Sequence, residues 1–254
     1  MGKCVTRSLL DSGYQVYAID LRSEGLEDLG GDHLRLIEAD ITDTKAIDDV
    51  LSGLGLEETG LDVFVSLAGI YDMFPVTEGN YEKFHRIMSV NFLATAHLIS
   101  KLFHPLVKNK GRVVVVTSES YKIQAMFQPY MISKAALESY CHTAWQELAL
   151  VGVKLSVIRP GAINTPLLDW MKRNDIDDPG SIFREEFNRS LEQSKKMVGT
   201  ITSPEKVAGK VLKAVQAKNP KHIYLVNNNP ILSMISILPD NWIDSLIVKN
   251  YKKK

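Results

Sequence analysis

The chain has 254 residues, of which 45% are hydrophobic and 24% charged, the proportions of a soluble globular protein able to bury a sizeable α/β core. Thirty basic and thirty acidic side chains cancel, so the overall charge calls for neither nucleic acid nor an acidic partner. Two cysteines, Cys4 and Cys141, argue against a disulfide framework and no Cys/His spacing resembles a metal site. With no apolar run of roughly 18 residues and no basic-then-apolar leader, a cytoplasmic setting is expected.

In chain order, Val5, Leu9 and Leu10 stand at helical spacing and Gly13 offers a C-cap. Tyr14 to Ile19 then reads as a strand closing on Asp20. A helix, a glycine and a buried strand ending in an acid form the second half of a dinucleotide-binding βαβ unit, in which the acid meets the adenosine ribose hydroxyls. The first half of that unit is missing, since only Gly2 stands before the helix. Leu34 to Ala39 is a further strand, ending at Asp40, and a helix follows over about 44–54 with Thr42 or Thr44 as its cap. Leu61 to Leu67 is a nearly continuous apolar run, as in a parallel strand covered on both faces, and ends in Ala68-Gly69, where small residues let a ligand approach the backbone.

Tyr81 to Val107 is helical in pattern, with Asn91 inside an otherwise apolar stripe, and Gly111 ends it. Arg112 to Val116 is the most β-branched strand and is followed by Thr117-Ser118. Pro129 to Val151 forms the longest helical pattern, Lys154 to Ile158 the next strand, Ser203-Pro204 opens another helix, and His222 to Val226 is the last strand. Strand and helix alternate with no linker or repeat, which predicts one α/β domain over 1–254: a doubly wound parallel sheet between two helical layers, with its first strand absent. Scattered apolar residues over about 165–200 read as short helices covering a substrate pocket, and the apolar tail over 230–254 as a further cover or a dimer contact. The closing Lys252 to Lys254 read as a solvated tail, with contact to an anionic membrane surface the lesser alternative.

Tyr130 and Lys134 stand four apart and so share one helix face. A nearby ammonium stabilises phenolate, which predicts that Lys134 draws the Tyr130 pKa down. Ser118 ends a buried strand, where open α/β sheets hold their ligands. With these residues in order, the chain resembles the short-chain dehydrogenase/reductase family, in particular its retinol- and steroid-dehydrogenase-like branch. Ser118, Tyr130 and Lys134 match its Ser…Tyr-x-x-x-Lys set, Asn91 its helix asparagine, and Ala68-Gly69 the second half of Asn-Asn-Ala-Gly. Asp40 corresponds to the acid near the adenine, and Pro160, Gly161, Ile163 and Thr165 lie in the segment facing the nicotinamide.

The resemblance implies an NAD(P)-dependent oxidoreductase acting on a secondary alcohol or ketone, with a hydrophobic substrate. Tyr130 would be its acid–base group, Lys134 would also hold the nicotinamide ribose, Ser118 would bond the reacting oxygen and Asn91 would fix a water. A carboxylate at Asp20 repels a 2′-phosphate, so NAD is expected over NADP, with Arg22 a counterweight. A homodimer or homotetramer is expected through the helices over 81–107 and 129–151. The family's Gly-rich turn is reduced here to Gly2, which suggests a shortened form of a longer protein. The alternatives are a non-catalytic dinucleotide-binding or interaction protein that keeps the fold, or an inactive truncated form.

Overall fold

The computed structural model describes residues 1–78, 80–178, 180–235 and 237–251. The order of elements is α1 (Gly2–Leu10), β1 (Val16–Asp20), β2 (Leu34–Glu38), α2 (Thr44–Ser52), α3 (Leu56–Thr59), β3 (Val63–Ser66), α4 (Tyr81–Met88) and α5 (Ala94–Lys101). There follow α6 (Phe103–Asn109), β4 (Arg112–Val116), α7 (Pro129–Leu150), β5 (Lys154–Pro160), α8 (Arg184–Met197), α9 (Pro204–Gln216), β6 (Ile223–Val226), α10 (Pro230–Ile235) and α11 (Asp240–Tyr251).

Every strand pairing is parallel, as short helical crossovers require. Along β4 the side chains alternate between two cores. Val114 and Val116 pack with Val5 of α1 and with Val207 and Val211 of α9, while Val113 and Val115 pack with Ile99 of α5, Leu106 of α6 and Leu137 of α7. Val113 to Val116 are only 0–6% exposed, and full burial of each such side chain contributes about 1.5–3 kcal/mol. Helices therefore cover both faces, giving the three layers read from the sequence.

The sheet is not continuous. β1 pairs with β2 alone, and β3, β4, β5 and β6 form a second group in that order, with no ladder joining β1 to β3.

Three local features differ from the sequence reading. The helical pattern over 81–107 is three pieces: a widened π-turn over Ser89–Leu93 separates α4 from α5, and the chain breaks again at Leu102. Pro105, which lacks an N–H, is accommodated in the first turn of α6 rather than inside a longer helix. The cap of α2 is Asp43, whose carboxylate accepts from Ala46 N, and neither Thr42 nor Thr44. Asp40 instead bonds Thr42 through both its N–H and its hydroxyl, closing the turn before that cap. Gly111, just before β4, has to be glycine because a Cβ there would lie 2.5 Å from Leu61 O.

Candidate active site

The C-terminal ends of β3, β4 and β5 converge on the start of α7. Proline at the first helical position of α7 fixes its entry, and Tyr130 and Lys134 follow on one face. Ser118 closes β4 and caps the short turn Glu119–Lys122, where its hydroxyl accepts from Ser120 N. The Ser118 side chain is near enough to the Tyr130 phenol to favour its ionised form. Lys134 is 3% exposed, its Nζ donating to Val116 O at 3.2 Å and lying 5.8 Å from the centre of the Tyr130 ring. Serine, tyrosine and lysine thus meet as the sequence pattern anticipates.

Their acidities do not follow the simple expectation. Burial pushes the Tyr130 phenol up to about 12, and the influence of nearby Ser118 only partly offsets it. Burial likewise lowers Lys134 to about 8. The ammonium is therefore not what governs the phenol here: loss of water outweighs one charge whose own hydrogen bond is made to a carbonyl. At neutral pH the phenol holds its proton.

Asn91 sits in the π-turn, fully buried. Its Oδ1 accepts from Ile70 N at 2.8 Å, and its Nδ2 donates to Ile70 O at 2.9 Å and to Ser133 Oγ at 2.9 Å. These bonds tie the loop after β3 to α7. Gly69 faces the same place: a Cβ added there would stand 3.5 Å from Lys134 Nζ and 3.6 Å from Asn91 Oδ1. Ala68 beside it is exposed at the end of the strand.

The segment after β5 is held against the end of β6. Gly161 N donates to Val226 O, and a Cβ on Gly161 would fall 2.2 Å from Asn227 O, so this approach needs glycine. Pro160 is buried, Ile163 is 5% exposed and bridges to Thr202, and the Thr165 hydroxyl bonds Ile163 O. Asp20 is exposed at the end of β1. Asp40 is exposed too, and its bonds to Thr42 hold its carboxyl below the usual range, so its observed work is in the turn. Gly2 opens α1, exposed, and a Cβ there would meet nothing within 4 Å. Gly69, Asn91 and Lys134 thus come together beside the ring of Tyr130.

Sequence reasoning missed two neighbours. Tyr71 lays its ring 5.0 Å from that of Tyr130 and stacks on Trp170 at 5.3 Å. Its hydroxyl donates to Gln128 Oε1 at 2.5 Å, and Gln128 Nε2 reaches Ser194 Oγ of α8. The only sequence signal for Tyr71 is an aromatic two residues after Gly69. Met73, Phe127, Ile176, Phe187 and Leu191 form a third buried cluster, against which Tyr71 and Trp170 pack.

A sequence model of the family described as short chain dehydrogenase matches residues 1–175. The chain belongs to that family. Among curated relatives, an NADPH-dependent 3-dehydrocapnine reductase of Ornithobacterium rhinotracheale is 26% identical, covering all of this chain and 94% of the relative. Estradiol 17-beta-dehydrogenase 2 of Rattus norvegicus is 27% identical over 98% of this chain and 71% of its own length. A short-chain dehydrogenase from Streptomyces avermitilis, at 20% identity, superposes with a TM-score of 0.78 over 98% of this chain and 89% of its own, which supports the Rossmann-type fold. As a member of this family the protein is an NAD(P)-dependent oxidoreductase of alcohols and ketones. Among the described residues no helix is long and apolar enough to cross a membrane.

Proposed function

We propose that the chain reduces or oxidises a hydrophobic secondary alcohol/ketone pair, with Tyr130 as the proton-transferring residue. The observation that carries this reading is the meeting of Ser118, Tyr130 and Lys134 beneath an apolar cover. The nicotinamide supplies the hydride when bound. Tyr130, protonated at neutral pH, gives its proton to the carbonyl oxygen in reduction and takes it back in oxidation. Ser118 hydrogen-bonds the same oxygen, and Lys134 holds the nicotinamide ribose. Asn91 spends both amide hydrogens on protein groups, so it acts as a positioning residue that sets Ile70 and Ser133. Pro160, Gly161, Ile163 and Thr165 face the nicotinamide, Ala68 and Gly69 leave room for the cofactor, and Gly2, Asp20 and Asp40 lie toward its adenosine and phosphates.

NAD is the preferred cofactor because Asp20 places a carboxylate where a 2′-phosphate would stand. The apolar cluster around Tyr71 and Trp170, together with a relative named for estradiol, supports a hydrophobic substrate. The cover over 165–200 and the tail from 230, whose Tyr251 bonds Gln193 of α8, act as parts of one domain. Exposed Ile132, Trp145 and Leu150 on α7 support a homodimer or homotetramer. Lys252 to Lys254 lie outside the described residues. The interrupted sheet favours a second reading, a dinucleotide-binding protein without turnover.

Tyr130→Phe separates the two. Against a panel of apolar alcohols and ketones with NAD(H) and NADP(H), the variant is expected to lose about 100- to 10,000-fold in turnover while its melting temperature stays close to that of the parent. Unchanged turnover would falsify the catalytic assignment.

A further inference from the structure

After β6 the chain turns apolar side chains outward. Ile231 and Met234 of α10, Ile237 in the turn that follows, and Trp242 and Leu246 of α11 are between 56% and 82% exposed. One side of this segment is anchored. On α11, Ile243 is buried and Ile247 and Tyr251 are half-buried, one turn apart on the row that faces the domain, and the Tyr251 hydroxyl donates to Gln193 Oε1 of α8. Just before α10, Asn229 N donates to Glu119 Oε2 and its Nδ2 to Met197 O. Trp242, Leu246 and Lys249 stand four and three apart, so they share a second row, and all three are exposed. A helix with apolar residues on two sides is expected to be covered on both. The charge around this face is one-sided. Residues 240–254 hold four lysines, Lys249 and Lys252 to Lys254, against Asp240 and Asp244, in a chain whose total charge is zero. Asp240 lies in the first turn of α11, where the backbone N–H groups favour an acid, and Asp244 is two residues from both Trp242 and Leu246 and so off their row. Exposed Lys196 and Met197 end α8 beside Asn229. The face also adjoins the site, since α10 packs against the turn Glu119–Lys122 that follows Ser118.

We propose that this outward face docks on an anionic phospholipid surface, with Ile231, Met234, Ile237, Trp242 and Leu246 entering the acyl boundary and the lysines meeting headgroup phosphates. Charge decides the occupant. A second copy meeting the same face about a two-fold axis would bring like lysines together, whereas a bilayer offers negative charge over an apolar layer, with an interface in which an indole ring is favoured. Among the described residues no helix is long and apolar enough to cross, so the segment lies on the surface rather than through it. What docking achieves rests on the proposed reaction: it sets the wall of the site beside the lipid, where an apolar alcohol or ketone is concentrated. The docking itself does not depend on that reading.

The test is flotation of the 254-residue protein with vesicles of phosphatidylcholine alone and of phosphatidylcholine with about 30% phosphatidylserine. Binding is expected to the anionic vesicles only, and to weaken as salt is raised. Lys249→Gln is expected to weaken it about fivefold, and Trp242→Ser combined with Leu246→Ser by at least about tenfold. Because these side chains are exposed, the melting temperatures of the variants should stay within about 2 °C of the parent. Trp242→Phe, which still binds, is expected to lose most of the fluorescence quenching that brominated phosphatidylcholine produces in the parent. Absence of binding to the anionic vesicles, equal binding by the parent and the double variant, or unchanged quenching in Trp242→Phe would overturn the proposal. So would a dimer, seen by sedimentation, that excludes vesicles and is dissolved by the double substitution, since the face would then belong to a second copy. Vesicle binding needs neither cofactor nor turnover, so failure of the catalytic reading would show in the Tyr130→Phe assay and leave this result untouched.

Discussion

Replacing Asn91 by alanine tests whether one buried amide holds the loop after β3 to the helix that carries the tyrosine. The substitution leaves Ile70 N–H and C=O, at 2.8 and 2.9 Å from the present side chain, without their partner, and it strips Ser133 Oγ of a donor. Each unsatisfied buried group costs about 1–3 kcal/mol, so the sum is near 3 kcal/mol even if the loop relaxes partly toward water. For a domain of this size each kcal/mol lowers the melting temperature by about 2–4 °C, which predicts a fall of about 6–12 °C. Ser133→Ala removes one of the three bonds and is expected to cost about a third as much, although it also frees Tyr130 O from the Ser133 hydroxyl. Thermal unfolding followed by circular dichroism, with both variants beside the parent, reads the two shifts. A fall under about 3 °C for Asn91→Ala, or equal falls for both variants, would refute the claim that this amide is what joins the two elements.

The Lys134 ammonium has a pKa of about 8 in the folded chain against an ordinary 10.5, so between those values the unfolded state binds the extra proton and stability rises with pH. The gain, about 3 kcal/mol, is complete above 10.5 and is lost as pH falls through 8. In Lys134→Met, urea unfolding between pH 7.5 and 9.5 is expected to lose this slope, and equal slopes in parent and variant would count against the burial argument. Arg159 donates through Nε to Glu138 Oε1 at 2.9 Å, the two side chains being 16% and 11% exposed, and Glu138 Oε2 has no hydrogen-bond partner among the described residues. Arg159→Met should therefore cost about 3 kcal/mol by leaving a buried carboxylate alone, and adding Glu138→Leu should recover most of it. Additive losses in the double variant would show that the pair is not coupled. Phe187, fully buried in the third cluster, should cost about 3–5 kcal/mol on truncation to alanine and should weaken binding of apolar substrates. An unchanged melting temperature would mean that the cover opens separately from the core.

Periodicity and turn residues alone determined the alternation of helices and strands, because apolar spacing and the glycines that end helices are local properties of the chain. The strand Arg112–Val116 and the helix from Pro129 were legible for that reason, β-branching marking one and proline at its first position the other. Spacing made Tyr130 and Lys134 legible as a pair, and the family resemblance joined Ser118 to them. The acidities of these groups were not legible, since they depend on how much water the fold removes, and that is fixed by Tyr71, Trp170 and the cluster from residues far along the chain. The π-turn at Asn91 likewise arises from bonds to Ile70 and Ser133, 21 and 42 positions away. That β1 and β3 share both cores without pairing is a fact of three dimensions: the strands themselves carry interior sequences, and only their neighbours decide whether an edge is filled.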